Sequence, residues 1–171
     1  PPPPTAAAAD LTPSVENIGG LVAALCGGSE GEKEQAAAAL HELAGQAAKE
    51  VGDDPTRARI AREGGIAPLV ALAGSGTAKA KEEAAGALWK LAWNADNKKA
   101  IAEAGGVAPL IELARSGTDK QKENAAGALM NLASNADNKV AIAEAGGSQF
   151  VGPMYIAGGV VRHYSLAWQY Q

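Results

Sequence analysis

The sequence predicts an all-α solenoid, and three observations carry that expectation. The pair Gly64-Gly65 returns as Gly105-Gly106 and again as Gly146-Gly147, a constant step of 41 residues. The text between them returns too. From Gly64 the chain reads GGIAPLVALAGSGTAKAKEEAAGALWKLAWNADNKKAIAEA, and from Gly105 it reads GGVAPLIELARSGTDKQKENAAGALMNLASNADNKVAIAEA, identical at about three quarters of the positions. Finally, Ala and Gly abound while Phe occurs once in 171 residues, so the core is expected to be built from small aliphatic side chains at close range, which favours helix on helix.

The elements follow in chain order. Residues 1–12 begin PPPPTAAAAD, a Pro/Ala-rich leader that reads as an extended polyproline spacer followed by a short Ala-rich piece. Residues 13–147 form the repeat domain, divided at the double glycines into 13–63, 64–104 and 105–147. The first unit is degenerate: Ile18, Leu21, Val22, Ala38, Ala39, Leu40 and Leu43 match Ile66, Leu69, Val70, Gly86, Ala87, Leu88 and Leu91 at an offset of 48, seven more than the period. The surplus falls between Gly45 and Pro55, where Gly52-Asp53-Asp54-Pro55 reads as a turn after an extended helix.

Each unit divides into three helical pieces. Asp96 and Asp137 are expected to N-cap short helices that Gly105 and Gly146 terminate. Pro68 and Pro109 mark the first turn of a second helix, where a missing N–H is tolerated. Thr77 and Thr118 cap a longer third helix, and Thr118 with Gln121 forms a capping box. No piece can bury its apolar stripe alone, so neighbouring units must stack into one continuous core.

The period and the three-helix unit resemble the armadillo repeat family. The resemblance covers about residues 14 to 147, roughly two and a half to three repeats, and rests on GG-[IV]-A-P-L-[VI]-x-L-A followed by AAGALxxLA. It implies a right-handed superhelix whose third helices line a concave groove. In family members that read extended basic peptides, such as the importin alpha adaptors, the third helix carries a Trp and, four residues later, an Asn that grips the peptide backbone. Those positions read Ala38 and Glu42, Gly86 and Lys90, Gly127 and Asn131 in this chain, so Asn131 alone is retained. Recognition of nuclear-import signals is therefore not carried over.

Helical geometry puts Gly86, Trp89, Lys90 and Trp93 on one side of the third helix, away from Leu88, Leu91 and Ala92. Stacking then aligns His41, Trp89 and Met130; Glu42, Lys90 and Asn131; and Gly45, Trp93 and Ser134. This strip is the candidate partner-binding surface, because interface anchors are typically aromatic. The competing reading packs Trp89 and Trp93 between repeats.

Residues 148–171, SQFVGPMYIAGGVVRHYSLAWQYQ, depart from the repeat and concentrate the aromatics Phe150, Tyr155, Tyr164, Trp168 and Tyr170. Two short strands around Gly158-Gly159 and a helix from about Val160 both fit this text. As function, the tail reads either as a cap over the edge of the last repeat or as an aromatic anchor on a partner.

Chemistry finds little purchase. Gly27-Gly28-Ser29-Glu30-Gly31 matches a hydrolase nucleophile elbow, but no strand precedes it, and Ser29 with Glu32 makes a capping box instead. The loops before Thr77 and Thr118 lack a phosphate-binding lysine, and His41 and His163 have no Cys or carboxylate at ligand spacing. No catalytic residue, metal site or cofactor is expected, and the chain is read as non-enzymatic. A formal charge of −4 and a pI near 5.2 argue against nucleic acid. No stretch reaches the roughly 18 apolar residues of a membrane span, and the single Cys26 suits a reducing compartment.

The expected function is a protein-binding scaffold that uses the groove and the tail. The alternative is a permanent accessory subunit of a large assembly. Near-identical Ala/Gly-rich units of this style resemble those multiplied in algae and other protists, which points that alternative towards a photosynthetic membrane complex with peripheral association. The expected compartment is cytoplasmic or plastid, on the stromal side. The chain begins with Pro1, so it reads as a processed or partial product without its targeting segment.

Overall fold

The computed structural model describes residues 9–46 and 55–151, with the backbone of residues 156–157 and 160–161. The described residues form α1 (Ile18–Gly27), α2 (Glu30–Gln46), α3 (Pro55–Arg62), α4 (Ile66–Ser75), α5 (Ala78–Leu91), α6 (Ala95–Glu103), α7 (Val107–Ser116), α8 (Asp119–Leu132) and α9 (Ala136–Glu144). A 3₁₀ turn at Ser148–Phe150 follows. Two short strands, β1 (Ile156–Ala157) and β2 (Val160–Val161), pair antiparallel with Ile156 opposite Val161.

The double glycines punctuate the chain for two separate reasons. The first of each pair sits at positive φ: +83° at Gly64, +79° at Gly105 and +76° at Gly146, a region that L side chains rarely occupy. It closes the short helix, with the Gly105 N–H donating to the Ala102 carbonyl and the Gly106 N–H to the Ile101 carbonyl, both at 2.9 Å. The second glycine permits close approach. A Cβ on Gly106 would stand 2.7 Å from Ile101 Cγ2 and 3.2 Å from Val70 Cγ2 of the preceding repeat.

Capping follows expectation at the third helices and departs from it at the first. Thr77 Oγ1 accepts from the Ala80 N–H at 3.1 Å, and Thr118 and Gln121 complete their capping box. The Ser29–Glu32 box also forms, and these hydrogen bonds hold the Glu32 carboxyl below its ordinary range. Asp96 and Asp137 are not the caps. Asn94 and Asn135, two residues earlier, accept from the N–H groups of Asn97 and Asn138, which places each aspartate inside the first turn. An aspartate there still faces the positive end of the helix dipole without closing it.

Stacking produces three columns: α3, α6 and α9; α1, α4 and α7; and α2, α5 and α8. One continuous core runs through them, with Leu21, Leu40, Leu69, Leu88, Leu110 and Leu129 buried and Ala36, Ala84 and Ala125 setting the close spacing. Burying such a leucine contributes about 2 kcal/mol.

Polar side chains then clip the repeats together. Nδ2 of Asn97 donates to the Arg57 carbonyl at 3.2 Å, and Nδ2 of Asn138 to the Lys98 carbonyl at 3.0 Å. Nε2 of Gln121 donates to the Ala78 carbonyl at 2.6 Å, and Nδ2 of Asn124 to the Glu82 carbonyl at 3.0 Å. Asn97, Asn138 and Gln121 thus each serve a cap and an inter-repeat bond, so register along the solenoid is tied to helix initiation.

The β1–β2 pair fits the two-strand reading around Gly158-Gly159, and residues 162–171, where the helical reading would continue, lie outside the described residues. Phe150, expected in the docking tail, is buried: it turns in as the 3₁₀ segment packs against α8. Tyr155, Tyr164, Trp168 and Tyr170 lie outside the described residues, as do residues 1–8 of the leader and residues 47–54, which hold most of the seven-residue surplus.

Candidate functional site

The predicted rows exist, but their members do different things. His41 and Trp89 point along the column onto the next repeat. A Cβ on Gly127 would lie 2.5–2.8 Å from three atoms of the Trp89 indole, and one on Gly86 would lie 2.7 Å and 2.8 Å from His41 Nε2 and Nδ1. Each ring therefore occupies the space that glycine opens in the neighbouring third helix. Trp89 is half-buried against the core, in line with the competing reading that packs it between repeats. Side chains on a helix lean towards its N-terminus, so a residue at one level meets the next helix about one turn earlier, here three residues.

His41 also gains a partner that sequence spacing did not reveal. Its Nδ1 lies 2.9 Å from Glu83 Oε2, across 42 residues. Glu83 is in turn 2.7 Å from Lys79 Nζ. Burial pushes the Glu83 carboxyl up, but the Lys79 ammonium and the His41 ring more than offset it and hold the group below its ordinary range. Lys79 is pushed up by hydrogen bonds to Glu82 and Glu83. This cluster is a repeat-to-repeat clamp, and among the described residues no group of three His, Cys, Asp or Glu is placed to hold a metal.

The second row is largely engaged. Glu42 is exposed and accepts from Gln46 Nε2 at 2.9 Å. Lys90 Nζ lies 4.2 Å from the Trp89 ring centroid, a cation–π contact. Asn131 Nδ2 donates to the Trp89 carbonyl at 3.2 Å, so the one retained family asparagine joins two repeats.

Trp93 and Met130 remain open, 42% and 40% exposed. Trp93 follows the end of α5, with the buried Arg57 guanidinium 5.7 Å from its ring centroid. Between Trp93 and Met130 lies an open depression of about 280 Å³, completed by Ala92, Lys98, Asn131 and Ser134. Lys98 Nζ donates to Ser134 Oγ at 2.7 Å. Of the predicted groove residues the structure brings Trp93, Met130 and Asn131 together there, while His41, Glu42 and Lys90 stand outside its lining. Lys98 was not foreseen, although Arg57, Lys98 and Lys139 recur at the 41-residue step and could have marked it.

Comparison with known proteins accords with this geometry. The Armadillo/beta-catenin-like repeat family matches residues 53–93 and 94–134, framing α3–α5 and α6–α8 as two complete repeats. That frame opens on the short helix instead of the double glycine, so α1–α2 and α9 are partial repeats at the two ends.

Among solved structures, computationally designed armadillo repeat proteins for modular peptide recognition align with a TM-score of 0.69 at 25% identity, over 77% of this chain and 54% of theirs. A designed armadillo repeat protein in complex with the peptide (KR)4 gives 0.68 at 25% identity, over the same shares. An engineered protein gives 0.68 at 34% identity, over 76% of this chain and 31% of its own. The chain thus spans about half or less of the length of these structures. No curated protein matches it. Residues 53–134 belong to the armadillo/beta-catenin-like repeat family, and the described chain folds as an armadillo solenoid.

Proposed function

We propose that the chain is a non-enzymatic protein-binding scaffold that holds an extended segment of a partner along the concave face of its third helices. One observation carries this: Trp93 and Met130, both exposed, frame a single depression between the third helices of the two complete repeats. Amphipathic aromatic and thioether side chains gain most from being covered, and such residues are enriched at interfaces. The designed neighbours described as peptide-recognition proteins support the same use of the fold. A phage-displayed peptide library selected on the purified chain tests it. Enriched peptides are expected to lose capture on the Trp93→Ala/Met130→Ala variant, whereas equal capture by the variant would sink the proposal.

A second reading, a permanent subunit of a larger assembly, draws on the last helix. Val140 is 56% exposed at the position where the preceding copy has Lys99, so an apolar group faces outward at the end of the array. Aromatics of the tail would add to that contact. Native mass analysis before and after removal of residues 152–171 decides it: a chain that purifies alone in both forms is not a permanent subunit.

A further inference from the structure

Each third helix meets the next one in the same way. The rings of His41 on α2 and Trp89 on α5 fill the space opened by Gly86 and Gly127, which lie three residues before the equivalent positions Trp89 and Met130. At the second junction three amides complete the fit: Gln121, Asn124 and Asn131 donate to the carbonyls of Ala78, Glu82 and Trp89. Among the described residues α8 is the last third helix, and the side it turns away from α5 repeats what α5 presents to α8. Met130 stands at the position of His41 and Trp89 and is 40% exposed. Ala126 and Ala133 are half-buried where Ala85 and Ala92 are fully buried. The carbonyls of Asp119, Glu123 and Met130 lie one period on from those of Ala78, Glu82 and Trp89.

We infer that this open side of α8 docks an α-helix of a partner protein that continues the third-helix column, with a glycine beneath Met130 and amide side chains on the three carbonyls. The helix required carries Gln, Asn, Gly and Asn at the spacing of Gln121, Asn124, Gly127 and Asn131. Continuity with the α5–α8 junction selects this occupant, because a solenoid end offers its neighbour the same surface that each internal repeat does. The chain's own tail lacks the pattern: one period on from Gln121, Asn124 and Gly127 stand Arg162, Ser165 and Trp168. A tryptophan at the glycine position leaves the Met130 side chain no recess to enter. This face shares Met130 with the concave depression, but Ala126 and Ala133 lie outside that lining, so the inference does not depend on the groove reading.

Fluorescence anisotropy of the full chain with a labelled peptide of its own residues 118–134, TDKQKENAAGALMNLAS, is the test. The peptide is expected to bind, and its Gly127→Leu version to bind about tenfold more weakly although leucine is the better helix former. That substitution leaves the protein untouched, so its effect cannot come from misfolding. In the protein, Ala126→Lys and Met130→Ala should each weaken binding about tenfold, whereas Trp93→Ala should leave it unchanged. Unchanged circular dichroism confirms folding of each variant.

Equal binding of the Gly127→Leu peptide overturns the glycine register. Binding that ignores Ala126→Lys but is lost on Trp93→Ala puts the helix in the groove and overturns docking at the edge, as does a full chain that binds nothing. A peptide that binds only after removal of residues 152–171 makes the tail the occupant and overturns the partner assignment.

Discussion

Replacing Gly127 with alanine should destabilise the protein, although alanine is the better helix former. Gly127 lies inside α8, where the exchange alone stabilises a helix by about 1 kcal/mol. The new Cβ would meet Trp89 Cε2, Cδ2 and Nε1 at 2.5, 2.7 and 2.8 Å, against ordinary contacts of 3.4 Å or more. The indole must withdraw by most of an ångström, and overpacking of this kind costs about 2 kcal/mol. The net is a loss of about 1 kcal/mol, or about 3 °C in Tm for a domain of this size. With Trp89→Ala in place the clash vanishes, so Gly127→Ala should then stabilise by about 1 kcal/mol. Urea unfolding of wild type, both single variants and the double variant closes the cycle, with an expected coupling of about 2 kcal/mol. Were Gly127→Ala to stabilise the protein with Trp89 present, the ring-on-glycine packing would be refuted.

Two further outcomes test the local chemistry. Asn94→Ala and Asn135→Ala should each lower stability by about 1 kcal/mol, against about 0.3 kcal/mol for Asp96→Ala and Asp137→Ala. Thermal melts that rank the aspartates above the asparagines would restore the aspartates as caps. For Glu83, the folded carboxyl sits below its ordinary value of 4.5, so the charged form favours the fold. Its contribution is present above about pH 4.5 and disappears as pH falls through the lowered folded value. The Tm gap between wild type and Glu83→Gln should therefore narrow on going from pH 7 to pH 3. A constant gap would show that the carboxylate is not held.

The features legible in the sequence are those that lie within one helix or recur at the period. The double glycines, Thr118 with Gln121, Ser29 with Glu32, and the buried Leu88 and Leu91 needed only spacing within a helix to be read. The cap at Asn94 was legible in principle, since Asn94-Ala95-Asp96-Asn97 recurs as Asn135-Ala136-Asp137-Asn138. Aspartate and asparagine cap about equally well, so residue type could not choose between them, and only the exact helix start decides. The contacts of His41 with Glu83 and of Trp89 with Gly127 span 42 and 38 residues, neither equal to a repeat offset. They depend on side-chain lean across stacked helices, which a row-by-row alignment at equal levels does not contain. The division between a packed Trp89 and an open Trp93 follows from the same lean: Trp89 leans onto a glycine in the next third helix, whereas Trp93 stands beyond the end of α5 beside α3.

The engaged state of Asn131 bears on how this groove can hold a peptide. In family members that read extended basic peptides, the third-helix asparagine grips the main chain of the ligand. In this chain Asn131 Nδ2 is bonded to the Trp89 carbonyl, and the equivalent positions carry Glu42 and Lys90. Freeing Asn131 would leave that carbonyl without its partner and loosen the junction between the two complete repeats, so peptide capture through this amide competes with solenoid integrity. On the proposed reading, grip would then come from side chains, with Trp93 and Met130 covering apolar groups of the peptide.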